Sequence, residues 1–327
     1  MTPSLLTTPL ALGSKPLRSK RVPTVSEEDA TAAPAEVLRR HSVSFWMASR
    51  LLPRGRRIDV EKLYAWCRWC DDGVDHAPNP FAARRFVRQA LRELRGSARG
   101  RPPLSQQTRW FAEVAASRDV HHRAAEALLL GMRMDIAHCR PADEAELLRY
   151  CFRAAGVVGV MMCPLLGLTD RALLPNAAAL GIGMQMTNIA RDVAEDWARG
   201  RCYLPTAWTG VLKQDSAPSD HEVRDAVERL LQAADSYYAA GRAGLPGLPI
   251  GSRSAVRAAA SVYQAIGDQI RRSRFRVMGG RTVVPKLKKV QLVLGLSGSG
   301  RRRIASNHVD DALHSCDQLL AEHGISL

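Results

Sequence analysis

Asp71-Asp72-Gly73-Val74-Asp75 and, far downstream, Gln185-Met186-Thr187-Asn188-Ile189-Ala190-Arg191-Asp192-Val193-Ala194-Glu195-Asp196 are the stretches from which the fold is read. Four residues make just over one helical turn, so Asp71 and Asp75 share a face, as do Asn188, Asp192 and Asp196. Like charges at that spacing cost an isolated helix roughly a few tenths of a kcal/mol per pair. Two such ladders with a neutral amide beside them suggest a cation between them, and hard oxygen ligands suit Mg²⁺ or Mn²⁺. Either ladder alone also fits a solvated helix face.

The flanking residues say where the acids point. Val60, Leu63, Tyr64, Cys67 and Val74 form an apolar stripe. Asp71 falls four residues after Cys67 and seven after Tyr64, on that core-facing stripe. Arg68 lies one turn before Asp72 and three residues before Asp71. A carboxylate aimed at a core must meet a cation, a hydrogen-bonding network or a wet cavity. Downstream, Ile182, Met186, Ile189, Val193 and Trp197 make an apolar ridge. Gln185, Asn188, Asp192 and Asp196 make a polar ridge rotated from it by about 100°. Arg191 and Glu195 read as an ordinary i,i+4 ion pair.

Between and around these stretches the chain reads as helix after helix from Ala35. Pro53 and Gly55 break the first; Ile58–Asp75, Phe81–Arg95, Thr108–Ala116, Ala124–Ala137, Glu144–Ala155 and Val157–Leu166 follow. Pro175 and Gly200 bracket the helix carrying the second ladder. Glu222–Ala240, Ser254–Arg274, Val284–Leu296 and Asp310–Leu320 complete the set. No strand pair or βαβ alternation appears, so one all-α domain is expected over 35–300. Residues 1–34, rich in Pro, Ser, Thr and Ala, read as a disordered leader, and 301–327 as a basic linker with a C-terminal helix.

Composition agrees with a large helical core: 327 residues, 46% hydrophobic, with aromatics only 6%. Seven scattered cysteines form no disulfide framework, which points to a reducing, cytoplasmic setting. Cys67-x-x-Cys70 lacks a second pair to complete a zinc site and reads as buried helical cysteines. The longest apolar run, Val157 to Leu168, is too short to span a bilayer. The formal charge is +15, and residues 271–303 hold eleven Lys or Arg and no acid. That stretch suits nucleic acid, an anionic membrane surface or a phosphorylated substrate, or is simply a solvated arginine-rich face. Only Phe275 among those residues is aromatic, which argues against nucleic acid.

Read with their flanks, these residues resemble the squalene/phytoene synthase family of head-to-head prenyl synthases, from about His41 to Lys289. The likeness begins with His41-Ser42-Val43-Ser44-Phe45 and Leu51-Leu52-Pro53, then reaches Tyr64-Ala65-Trp66-Cys67-Arg68. It resumes at Tyr150-Cys151 and Ala155-Gly156-Val157-Val158-Gly159. It passes through Gln185–Asp192 and closes on Gly200-Arg201-Cys202-Tyr203-Leu204-Pro205, with Tyr263 and Arg281 fitting a late tyrosine and arginine. The resemblance implies an isoprenoid-synthase helical fold with a central cavity. It implies that Asp71, Asp75, Asn188 and Asp192 ligate metal, with Asp196 supporting. His41, Ser42, Ser44, Arg68, Gln185, Arg191 and Arg281 would bind diphosphate, and Tyr64, Tyr150 and Tyr263 would line the site. Each tyrosine is equally at home as a core residue with a satisfied hydroxyl. Val43 departs from the lysine of some relatives.

Within the family the bacterial phytoene synthases are the nearer likeness, which implies condensation of two geranylgeranyl diphosphates. Squalene or dehydrosqualene synthesis from farnesyl diphosphate is the second reading, and a non-catalytic assembly factor the third. NADPH is not expected: Gly295-Leu296-Ser297-Gly298-Ser299-Gly300 has the wrong spacing for a dinucleotide loop and follows no strand. The basic stretch suggests peripheral contact with an anionic inner membrane face.

Overall fold

The structure, a computed structural model, describes residues 32–138, 140–210, 217–296 and 304–325. The expected leader therefore lies almost wholly outside the described residues, as do 301–303 of the linker. All regular elements among the described residues are helices.

They are α1 (Pro34–His41), α2 (Val43–Ser49), α3 (Arg54–Asp75), α4 (Pro80–Ser97), α5 (Gln106–Arg118), α6 (His122–Ile136), α7 (Glu144–Cys151), α8 (Val157–Leu166), α9 (Leu174–Ala198), α10 (Thr206–Thr209), α11 (Asp220–Ala243), α12 (Ile250–Arg272), α13 (Lys286–Val293) and α14 (Ser306–Glu322). Their starts follow local chemistry. Asn79 caps Ala82 N at 2.9 Å, Asp143 caps Glu146 N at 2.9 Å, and Ser219 with Glu222 forms a capping box.

Most boundaries shift from the sequence expectation by a few residues, and three of the differences have clear local causes. The first helix is broken at Ser42, whose extended backbone and hydroxyl cap the next helix through Phe45 N at 3.3 Å. Helix α3 begins at Arg54 rather than Ile58, because Pro53 suits the position just before a helix and Gly55 is tolerated in its first turn. Helices α7 and α8 do not break at Gly156; a π-turn over Phe152–Gly156 joins them into one rod.

Helix α9 is the hub, packing against α11, α8, α12, α14 and the π-turn. Leu174, Ala178, Ile182, Met186, Ile189 and Val193 are buried, and so are Gly181, Gly183, Thr187 and Ala190 on its other sides. A helix apolar nearly all round belongs in an interior. Small residues allow its neighbours to come close: a Cβ on Gly159 would run into Ala177 O, and one on Gly181 into Ala155 O. The rod Glu144–Leu166 is long and apolar enough to cross a membrane by length and composition. Its apolar surface is already used: Leu147, Phe152, Val157, Met161 and Leu165 are in the core, while Ala154, Val158, Met162 and Leu166 face the internal cavity.

Candidate active site

A cavity of about 440 Å³ opens between α3, α6, the α7–α8 rod, α9 and α12. Most of its wall is apolar, with Leu128, Met132, Val158, Met162, Leu180 and Met184 among the lining. The polar residues in the lining include Arg68, Asp71, Asp135, Gln185 and Asn188, with Tyr64, Tyr150 and Tyr263 beside them. The two acidic ladders, more than a hundred residues apart in sequence, thus contribute to one chamber.

On the first wall the three aspartates have separate fates. Arg68 holds buried Asp72, with Nε to Oδ2 at 3.0 Å, and reaches Asp71 Oδ2 at 3.1 Å. Asp71 faces the cavity, where removal from bulk water and then the charge of Asp75 push its carboxyl up to about 7, against the pull of Arg68. Asp75, the last residue of α3, accepts from Arg201 Nη1 at 2.7 Å and has Arg199 at 3.6 Å.

On the second wall the expected Arg191–Glu195 pair does not form. Arg191 turns inward to clamp its neighbour Asp192, Nε to Oδ1 at 2.7 Å, while Glu195 is exposed. The half-buried Asp192 carboxylate is a stronger partner for Arg191 than the solvated Glu195. Arg281 reaches the same Asp192 oxygen at 3.1 Å from beyond α12. Lys289, on α13, is held below the usual lysine range by burial and then by the charges of Arg191 and Arg281. Arg191 and Arg281 therefore share one carboxylate, and Lys289 lies where their charges reach it. Asp196 is pushed up to about 7 by burial and then by Asp192. Asn188 donates to Gln185 Oε1 at 3.3 Å, and its own Oδ1 is buried with no partner. An orphaned carbonyl oxygen facing a cavity is a ligand position waiting for a donor or a cation.

The aromatic residues split into two groups. Phe45 stacks on Tyr263 at 5.3 Å and meets Tyr64 edge-on at 6.3 Å. Tyr150 instead stacks on Tyr203 at 4.6 Å, and both hydroxyls donate to Asp135 Oδ1, at 3.0 and 2.6 Å. Burial raises the Asp135 carboxyl, while the two tyrosines and Arg201 act to keep it charged. Burial pushes the Cys67 thiol up to about 12, so that cavity-lining cysteine stays protonated and unreactive.

Of the residues singled out from sequence, Tyr64, Arg68, Asp71, Tyr150, Gln185, Asn188 and Tyr263 line the cavity. Asp75, Arg191, Asp192, Asp196 and Arg281 form the charged groups around it, linked by the contacts above. His41, Ser42 and Ser44 do not line it; they sit within one turn of Phe45, and the Ser42 hydroxyl is used as a helix cap. Sequence reasoning assigns no role to Asp135, Tyr203, Arg201 or Lys289. Asp135 was legible: it follows Leu128 and Met132 at helical spacing, the same inward stripe that singles out Asp71. Arg201 and Lys289 carried no comparable signal.

The oxygens able to hold a divalent cation are Asp71, Asp75, Asp192 and Asn188 Oδ1. Among the described residues no three Asp, Glu, His or Cys side chains come together as a metal site by themselves. That donor set fits a cation such as Mg²⁺, which is ordinarily bound by one or two carboxylates with the rest of its shell from water and phosphate oxygens.

Comparisons with known proteins agree with this geometry. The sequence profile of the squalene/phytoene synthase family matches residues 38–288. The 15-cis-phytoene synthase of Pantoea ananas is 36% identical over 274 residues, covering 79% of this chain and 87% of that one. A phytoene synthase of Cereibacter sphaeroides is 36% identical over 280 residues, covering 81% and 78%. Among solved structures a dehydrosqualene synthase in complex with ligand superposes with a TM-score of 0.74 at 28% identity, covering 83% of this chain and 95% of that one. The all-α isoprenoid-synthase architecture expected from sequence is the architecture found.

Proposed function

The chain belongs to the squalene/phytoene synthase family, and from that premise we propose that it is a phytoene synthase acting in carotenoid and isoprenoid biosynthesis. It is a prenyltransferase that joins two geranylgeranyl diphosphates head to head and releases diphosphate. The observation that carries this reading is the pairing of Arg191 and Arg281 with Asp192, opposite a second acidic wall and beside an apolar chamber. Cations for phosphate, carboxylates for a divalent metal and an oil-like interior for a prenyl tail are what an amphiphilic diphosphate requires.

Bound by Asp71, Asp75, Asn188 and Asp192, Mg²⁺ or Mn²⁺ would neutralise diphosphate charge as a Lewis acid. Arg191, Arg281 and Lys289 meet phosphate oxygens and stabilise the charge that gathers there as the allylic C–O bond breaks. Arg68, engaged with both Asp71 and Asp72, orients the first wall. Gln185 fixes the Asn188 amide so that its Oδ1 points to the ligand. Phe45, Tyr64 and Tyr263 present ring faces to the allylic cation, and the apolar wall excludes water that would quench it. His41, Ser42 and Ser44, one turn from Phe45, are read as contacts to a diphosphate. Tyr150, tied to Asp135, holds that carboxylate in the wall. Attack by the second alkene, with loss of a proton to the departed diphosphate, closes the ring of a cyclopropylcarbinyl diphosphate. Loss of its own diphosphate uses the same cations, and after rearrangement a second proton is lost to yield phytoene. The reading sets the enzyme in the cytoplasm, where no NADPH is consumed.

Purified protein incubated with geranylgeranyl or farnesyl diphosphate, with Mg²⁺ or with chelator, and with or without NADPH, tests it. Phytoene from the C20 substrate, dependent on metal and indifferent to NADPH, is expected. A C30 hydrocarbon from farnesyl diphosphate alone would move the assignment to the dehydrosqualene or squalene branch, and no hydrocarbon from either would end the catalytic reading.

A further inference from the structure

We propose that α13 and its flanks form a docking surface for an anionic lipid bilayer, placed against the cavity wall so that the chamber exchanges prenyl chains with lipid. The proposal rests on the reading above that substrate and product carry long prenyl chains. Its observation is an unusual exposure: Val283 is 61% exposed, Leu287 72%, Val290 38%, Leu294 62% and Leu296 75%. Leu287, Val290 and Leu294 follow at intervals of three and four along α13 and its C-cap, the spacing of one helical face, and Val283 is exposed in the segment just before the helix. Single exposed apolar residues need no explanation, whereas a contiguous patch marks an interaction site.

The inner side of the same helix packs on the outside of the cavity wall. Leu292 is buried, and Val293 packs against the cluster of Ala48, Ala258 and Ala259, of which Ala48 and Ala259 line the chamber. Helix α13 and one layer of small side chains from α2 and α12 thus separate the chamber from the exposed apolar patch.

Charge selects the occupant. Arg272, Arg274, Arg276, Arg281 and Lys286 are exposed, and no acidic residue occurs between Asp268 and Asp310. Nucleic acid would meet the arginines and leave the leucines in water. A second copy of this chain would cover the leucines but bring two basic collars together, which like charges resist. A bilayer with anionic headgroups meets both: leucines sink to the acyl boundary while the basic side chains stay at headgroup level.

Flotation of the full chain with phosphatidylcholine vesicles, and with vesicles of equal parts phosphatidylcholine and phosphatidylglycerol, tests this. Binding to the mixed vesicles, weakened by added salt, is expected. Leu287→Ser with Leu294→Ser should weaken that binding by about tenfold per leucine, with an unchanged melting temperature and unchanged turnover in detergent micelles. Lys286→Glu should reduce the preference for the anionic vesicles. Equal flotation of wild type and the double leucine variant, or no flotation of wild type, would overturn the proposal. So would a wild-type dimer that the leucine variant converts to monomer without any vesicle binding, since the patch would then belong to a second copy. Flotation is read without turnover: intact binding with no hydrocarbon product would count against the catalytic reading alone.

Discussion

Asp71 and Asp72 are adjacent acids with opposite duties, and substitution should separate them. Asp72 is buried against Arg68, so Asp72→Ala leaves an arginine without its main partner. That should cost about 2 kcal/mol in urea unfolding, less than a fully buried pair because Arg68 keeps some solvent contact. Asp71→Asn keeps the shape of the site and should leave stability nearly intact. Asp192→Asn also strips Arg191 and Arg281 of their shared carboxylate and should cost about 1–2 kcal/mol. Each should lower kcat/KM roughly a hundredfold. Full turnover in both Asn variants would remove the metal assignment. Asp71 and Asp196 also predict a pH effect. Both are raised to about 7 from the ordinary 3.8. Between those values the folded chain holds protons that the unfolded chain releases, so this contribution to stability is present below about pH 4 and lost as pH rises through 7. Urea midpoints of metal-free protein at pH 5 and pH 8 should show that loss, and it should shrink in an Asp71→Asn, Asp196→Asn double variant. Mg²⁺ added at pH 8 should restore stability, because a cation takes the place of the protons.

At the scale of elements, the chamber exists because α8 and α9 cross closely and still leave a wall with little side-chain bulk. Gly159 and Gly181 face backbone carbonyls of the other element, which cannot move aside as a flexible side chain would. Gly181→Val should therefore destabilise by on the order of 3 kcal/mol, read as a lowered urea midpoint. A stability equal to wild type would mean that the helices can part without loss. The crossing was not legible beforehand, because a glycine inside a helix pattern signals only a weaker helix until its neighbour is known. The π-turn was hidden for the same reason: Ala155-Gly156 reads as a break, and packing against α9 keeps the rod continuous. Helix identity was legible because apolar spacing at 3.6 residues per turn is a local property.

Over the whole molecule, α14 closes the bundle on α9 and α11. Its Ala312, Cys316, Leu319 and Leu320 are buried, and His323 accepts from Arg153 of the π-turn at 3.0 Å. Removing residues 304–327 should lower the melting temperature by about 5 °C or more, since two buried leucines alone account for roughly 3 kcal/mol. It should also reduce turnover by loosening the turn behind Tyr150, measurable as a fall in kcat in the surviving folded protein. The sequence by itself determined the all-helical class, the two acidic ladders, the inward aim of Asp71 and the family. Those rest on short-range periodicity and on motifs that a single turn of helix can present. Only the tertiary structure decided that Arg191 leaves Glu195 for Asp192, that Arg201 and Lys289 reach the site, that Asn188 keeps an unpartnered oxygen, and that one face of α13 stays uncovered. Each of these depends on which side chains share a buried volume, and there electrostatics and desolvation outweigh spacing along the chain.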